Sequence, residues 1–178
     1  RMFILFAAPP EDQLEWNDSA IDGAWRFLNR IYMAAEKRFE QTDADIDPQG
    51  FDDTDKKLFR EVHAAIKKVT NDFSKDLKFN TAISQIMILM NALEKYDPAE
   101  KPGKQALLNE AVKTVVLLMA PITPHLCEEL WQMTGGEDVV AQAPWPVYQE
   151  EALIQDTVLV VVQVNGKVRA KLDVARDA

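Results

Sequence analysis

The residue types that do nucleophilic or metal chemistry are few in this sequence, and their spacing suits neither task. His63 and His125 are the only histidines and Cys127 the only cysteine. His125, Cys127 and Glu128 fall close together near an expected helix start, but no second cysteine or histidine stands at ligand spacing. A Cys–His nucleophile pair has no local signature either, so a buried thiol and a satisfied imidazole are the plainer reading. Glu128 and Glu129 are adjacent and point to different helix faces, unlike an acid/base pair. Asp43, Asp45 and Asp47 alternate as in a calcium loop but lack its glycine and closing glutamate. Glycine-rich phosphate loops are absent. Catalytic, cofactor-binding and metal-ligating residues are therefore all expected to be none.

What remains is charge. Between Asp53 and Leu77 the apolar residues Leu58, Phe59, Val62, Ile66, Val69, Phe73 and Leu77 share a helical sector about 100° wide, the width of a buried stripe. Lys56, Lys57, Arg60, Lys67, Lys68, Lys75 and Lys78 share a sector about 120° wide, centred nearly opposite. Glu61, Asp72 and Asp76 lie on its flank. Charges must face solvent somewhere, which is the bland account. Ordinary solvation mixes signs, though, and a one-sign ridge on a chain of formal charge −9 suits a phosphate backbone. Arg26, Arg30 and Lys37 fall close together on the preceding helix.

The elements that must hold these residues follow from hydrophobic period. Residues 115–119 are apolar all round, as in the central helix of a bundle. Pro121 must end that helix, and Thr123-Pro124 reads as an N-cap and first position of the next. That helix should run to the Gly135-Gly136 stop, with Leu126, Leu130, Trp131 and Met133 as its apolar members. A long helix is expected from near Asp18 to about Gln41, then a polar loop to Asp52, a helix over about Asp53–Leu77, and one over Ala82–Lys95 capped by Asn80. The central helix starts near Lys104. Beyond Pro146 the pattern changes: residues 157–164 are valine-rich, Asn165-Gly166 is a hairpin turn signal, and 167–174 alternate. A two-residue turn would pair Val164 with Lys167, Val162 with Arg169 and Val160 with Lys171, giving one face the row Lys167, Arg169, Lys171.

The totals bound the reading without deciding it. Length fits one medium domain or a domain plus a piece of another. A single cysteine excludes an internal disulfide and fits a reducing compartment. The longest apolar run is too short to cross a membrane. Residues 1–8 look like a helix entered midway rather than a signal peptide, and the hairpin lacks a cover for its apolar side, so both ends are expected to be cut from something longer.

Residues 120–131, Ala-Pro-Ile-Thr-Pro-His-Leu-Cys-Glu-Glu-Leu-Trp, resemble a signature of class I aminoacyl-tRNA synthetases of the Leu/Ile/Val subgroup. Phe79-Asn80-Thr81-Ala82-Ile83 is similar to another part of the same helical domain. Leu14-Glu15-Trp16 through Gly23, Arg26-Phe27-Leu28, and Val162 through Lys171 narrow the resemblance to the bacterial-type leucyl-tRNA synthetase family. Residues 20–23, Ala-Ile-Asp-Gly, depart slightly from that family's usual Gly-Val-Glu-Gly.

The resemblance implies a mainly α fold. Residues 1–150 would be the helical bundle called anticodon-binding, and 151–178 a linker and first β-hairpin of a truncated C-terminal α/β tRNA-binding domain. It implies a tRNA-binding part of a leucine–tRNA ligase that uses ATP and magnesium elsewhere in the parent enzyme. The partners implied are tRNA(Leu), the catalytic core and the rest of the C-terminal domain, in the cytoplasm, with no membrane. The His-Ile-Gly-His and Lys-Met-Ser-Lys-Ser motifs are absent from these residues, so no catalytic residue carries over. On this reading Arg26, Arg30, Arg60, Lys67, Lys68 and Lys75 face the tRNA, with Lys167, Arg169 and Lys171 as a second group. The competing reading is a helical protein-interaction module whose apolar ends dock on another protein.

Overall fold

A computed structural model describes residues 1–9, 11–16, 18–99, 101–154, 157–164 and 167–175; its described side chains exclude those of 76, 157–164, 167–168 and 170–175. The helices are α1 (Met2–Ala7), α2 (Asp18–Arg38), α3 (Asp53–Asn71), α4 (Phe79–Lys95), α5 (Pro102–Met119) and α6 (Pro124–Met133). The fold is mainly α, and α5 is its axis. Leu107, Leu108, Ala111, Val112, Val115, Val116, Leu118 and Met119 are all buried around its circumference, against α2, α3, α4 and α6. A helical stretch apolar all round, as residues 115–119 are, has no other stable place in water. Pro121 closes it, Ile122 is buried in the turn, and Pro124 opens α6. Thr123 stands at the N-cap without a side-chain cap; its hydroxyl lies 3.4 Å from the Met119 carbonyl and 3.5 Å from the Cys127 Sγ.

Helix α3 starts on a capping box. Asp52 accepts from the Thr54 and Asp55 amides at 2.9 and 3.1 Å, while the Asp55 carboxylate accepts from the Asp52 amide at 3.0 Å. Its stripe of Leu58, Val62, Ile66 and Val69 is buried as the period requires. The continuous helix to Leu77 is not what forms. After Asn71 the chain widens into a π turn, Asp72–Asp76, and Leu77 takes φ 49° with 55% of its surface exposed. A π turn holds an extra residue, so the wheel that put Leu77 in the stripe no longer applies beyond residue 71.

Three other boundaries differ from the sequence reading. Helix α4 begins at Phe79 with Lys78 at its N-cap, so Asn80 lies inside it, its carbonyl taking the Ser84 hydroxyl at 2.8 Å. Helix α5 starts at Pro102, proline being tolerated in a first turn. Helix α2 stops at Arg38 rather than near Gln41. Arg38 there reaches across to the end of α4, donating to the Leu93 carbonyl at 2.6 Å and to the Tyr96 carbonyl. Buried Gln105 and Asn109 of α5 in turn donate to the carbonyls of Arg38 and Glu40 at 2.8 and 2.6 Å. Side chains from neighbouring helices thus finish helix ends that carry no glycine stop.

Past α6, Gly135 takes φ 73° and the Gly136 amide donates to the Trp131 carbonyl at 2.8 Å. Met133, expected among the apolar members of α6, is 37% exposed. A Cβ on Gly136 would lie 2.2 Å from the Trp131 ring, whose Nε1 donates to the Glu137 carbonyl at 3.1 Å. Gly136→Ala is therefore expected to displace that ring and cost about 1–3 kcal/mol in urea unfolding, against little change for Gly50→Ala, where nothing lies closer than 3.5 Å.

Strands β1 (Thr157–Val164) and β2 (Lys167–Ala175) pair antiparallel. Val164 faces Lys167, but the register slips between Val162 and Gln163, so Val162 faces Ala170 and Val161 faces Lys171. Pairing of Val162 with Arg169 and of Val160 with Lys171 does not occur. Arg169 is the extra residue of a bulge, which breaks strict alternation along the strand. The expected Asn165-Gly166 turn lies outside the described residues.

Candidate nucleic-acid interface

A strap formed by residues 144–150 runs along one flank of α3. Trp145 Nε1 donates to the Thr70 hydroxyl at 2.8 Å, and the Gln149 amide donates to His63 Nδ1 at 3.2 Å. Lys67 donates to both Glu150 carboxylate oxygens at 2.8 Å, and its Nζ lies 5.2 Å over the Tyr148 ring. His63 is buried, edge-on to Phe59 at 4.4 Å, and burial lowers its pKa. An Nδ1 that accepts a backbone N–H belongs to a neutral imidazole.

The sign of the resulting pH dependence is fixed. The unfolded chain binds a proton at His63 more readily than the folded one, so stability is full above the ordinary histidine pKa of about 6.5 and falls as pH drops toward the lower folded value. Urea midpoints measured between pH 7.5 and 5 should decline for the native chain and decline less for His63→Gln; parallel curves would contradict this.

The basic sector of α3 borders that strap. Lys56 and Lys57 are exposed, Arg60 is half-buried, and Lys75 is exposed on the π turn; none makes a side-chain hydrogen bond or ion pair among the described residues. Lys67 and Lys68 are different. Lys67 is held by Glu150, and that hydrogen bond raises its pKa. Lys68 pairs with buried Asp72 and lies 3.4 Å from Thr81 Oγ1 of α4; Thr81 itself donates to Asp72 at 2.6 Å. On α2, Arg26 is exposed without a partner among the described residues. Arg30 is clamped to Glu94 by two bonds of 2.9 and 2.8 Å and donates to Asn91 Oδ1 at 2.7 Å. Its hydrogen bonding to Glu94 raises its pKa. Arg26, Arg30 and Lys37 border a groove of about 490 Å³ that also includes Met33 and Ala34.

These bonds locate the two cation groups relative to one another. Lys68 of α3 reaches Thr81 and Arg30 of α2 reaches Asn91 and Glu94, so α4 is touched from both sides. Along α4, Ser84, Ile88, Asn91 and Lys95 are exposed at the spacing of one helix face. The wheel of a single helix could not supply that relation; it found the cations and set Asp72 on their flank, but missed Glu94 and Glu150, which answer Arg30 and Lys67. Ionic partners reduce the outward field of those three, leaving Arg26, Lys56, Lys57, Arg60 and Lys75 as the stronger anion contacts. Arg169 is exposed, whereas the side chains of Lys167 and Lys171 lie outside the described residues.

Catalytic chemistry finds little here. Cys127 is fully buried, which pushes its thiol pKa up to about 11, and His125 is exposed. Burial of this kind leaves little thiolate to act as a nucleophile. Among the described residues no group of three or more His, Cys, Asp or Glu side chains could hold a metal ion, and no helix is long and apolar enough to cross a membrane.

Residues 55–178 match the family described as the anticodon-binding domain of tRNA ligase. The leucine–tRNA ligase of Colwellia psychrerythraea is 49% identical, aligned with 100% of this chain and 21% of its own length. That of Saccharophagus degradans is 45% identical, over 100% of this chain and 22% of its own. A crystal structure of a ternary complex of Agrobacterium radiobacter K84 agnB2 LeuRS, tRNA and LeuAMS superposes with a TM-score of 0.81 at 29% identity, over 98% of this chain and 23% of that one. The chain spans about a fifth of the length of the curated relatives it matches.

Proposed function

Because the chain belongs to the family of anticodon-binding domains of tRNA ligases, we propose that it is the RNA-holding portion of a cytoplasmic leucine–tRNA ligase, which positions tRNA(Leu) for ATP-dependent aminoacylation. The observation that carries this reading is the run of exposed or half-buried cations, Lys56, Lys57 and Arg60, without ionic partners among the described residues, on a protein of net charge −9. Phosphate contacts of this kind hold and orient an RNA without reading its sequence. Arg26, Arg30, Lys67, Lys68 and Lys75 extend the same surface, with Lys167, Arg169 and Lys171 as a second contact from the strands. Residues 1–150 act as the bundle and 151–178 as the linker and opening hairpin of the next α/β domain.

ATP and magnesium would belong to the parent enzyme's catalytic core, since the described residues offer no group of His, Cys, Asp or Glu side chains fit for the metal. Exposed Ile4 and Trp16, 54% and 70% accessible, suit contact with that core. A gel shift comparing a tRNA(Leu) transcript with an unrelated RNA of equal length tests the reading. Tighter binding of the tRNA is expected. No shift with either RNA would favour a protein-interaction module instead.

A further inference from the structure

The geometry points to a pocket for one unpaired RNA nucleotide at the junction of α3, the turn before it, and the end of the strap. The cavity measures about 410 Å³, within the range of small-ligand sites. Among its lining residues are Phe51 and Phe59, both half-buried, with ring centroids 5.4 Å apart. Lys56 and Arg60 border the same cavity, and neither has an ionic partner among the described residues. Gln149 and Glu151 complete the polar set. The Gln149 backbone amide is committed to His63, while its side-chain amide makes no hydrogen bond among the described residues.

Each feature answers one part of a nucleotide. An aromatic ring provides a face on which any base stacks. The two cations supply the phosphate contact. An open amide offers both a donor and an acceptor to a base edge, and the Glu151 carboxylate accepts only, which favours a base with an exocyclic amino group. Glu151 would repel a phosphate placed beside it, so the phosphate sits toward Lys56 and Arg60 and the base toward residues 149–151. Duplex RNA cannot enter such a cavity; a base turned out of a loop can. The inference rests on the RNA-binding reading above but adds a site that phosphate contacts alone do not require.

The test uses the full chain and a tRNA(Leu) transcript probed with dimethyl sulfate, which marks unpaired adenine and cytosine. Bound native chain should protect one loop base. Phe59→Leu keeps an apolar group against the core but removes the stacking face. It should abolish that protection and weaken binding about ten-fold, with the salt dependence unchanged. Glu151→Gln should relax the preference for an amino base. Urea unfolding of Phe59→Leu establishes that it is folded; if it is not, Gln149→Ala, on the exposed strap, takes its place and should reduce protection likewise. Binding of native chain with no base protected, or protection unaltered in these variants, overturns the nucleotide pocket and leaves the RNA-binding reading standing. Failure of the native chain to bind the transcript overturns both.

Discussion

Replacing Asp55 with alanine is expected to destabilise the bundle by about 3–5 kcal/mol, the cost of removing one partner from a buried ionic cluster. Asp55 is fully buried at the start of α3. Its Oδ1 accepts the Tyr96 hydroxyl at 2.6 Å from the end of α4, and its Oδ2 lies 3.0 Å from the Lys104 ammonium on α5. The same Oδ2 accepts the Asp52 amide at 3.0 Å, and Lys104 also pairs with Asp52. One carboxylate therefore ties together three helix ends. Its surroundings record the coupling: the Lys104 hydrogen bond holds the Asp52 carboxyl well below the usual range, and burial together with the Asp55 bond pushes the Tyr96 phenol well above its own. Asp55→Asn keeps the volume and one acceptor and should cost less, about 1–3 kcal/mol. Urea unfolding followed by circular dichroism reads both. A loss below about 1 kcal/mol for the alanine variant would show that the cluster is not what joins these ends.

Reversing the charge at two positions, Lys57→Glu with Arg60→Glu, is expected to weaken tRNA binding by about 100-fold at roughly 0.1 M salt. Neither residue makes an ion pair among the described residues, so each change removes an attraction and adds a repulsion in its place. Lys67→Glu alone should weaken binding only a few-fold. In the native chain Lys67 is already engaged by Glu150, and its contribution to the outward field is correspondingly smaller. Filter binding with matched circular dichroism separates lost affinity from lost structure. If Lys67→Glu proves the more damaging, the ranking drawn from ion pairing is wrong.

Much of this architecture was legible because single-helix periodicity is a local property. The buried stripe of α3, the all-apolar last turn of α5 at 115–119 and the proline-marked break before α6 each follow from a few adjacent residues. The misses are long-range or depend on unusual backbone. Nothing near Asp55 in sequence announces Tyr96 or Lys104, and the acidic partners of Arg30 and Lys67 are 64 and 83 residues away. The π turn after Asn71 and the bulge at Arg169 shift a register that counting assumes constant. Phe51 and Gln149 could not be joined to Phe59 from the wheel, because they belong to a preceding loop and a strap far along the chain. Strap and loop are positioned by tertiary contacts such as the bond from Trp145 to Thr70, which no local pattern encodes.

The salt dependence of tRNA binding measures the central claim most directly. Log affinity plotted against log salt concentration should fall steeply for the native chain. Changing Arg26, Lys57 and Arg60 together to glutamine should flatten the slope by about 2, at roughly 0.7–0.9 for each phosphate no longer neutralised. Native and variant lines of equal slope would mean that these cations touch no phosphate, and that the RNA, if held at all, is held elsewhere.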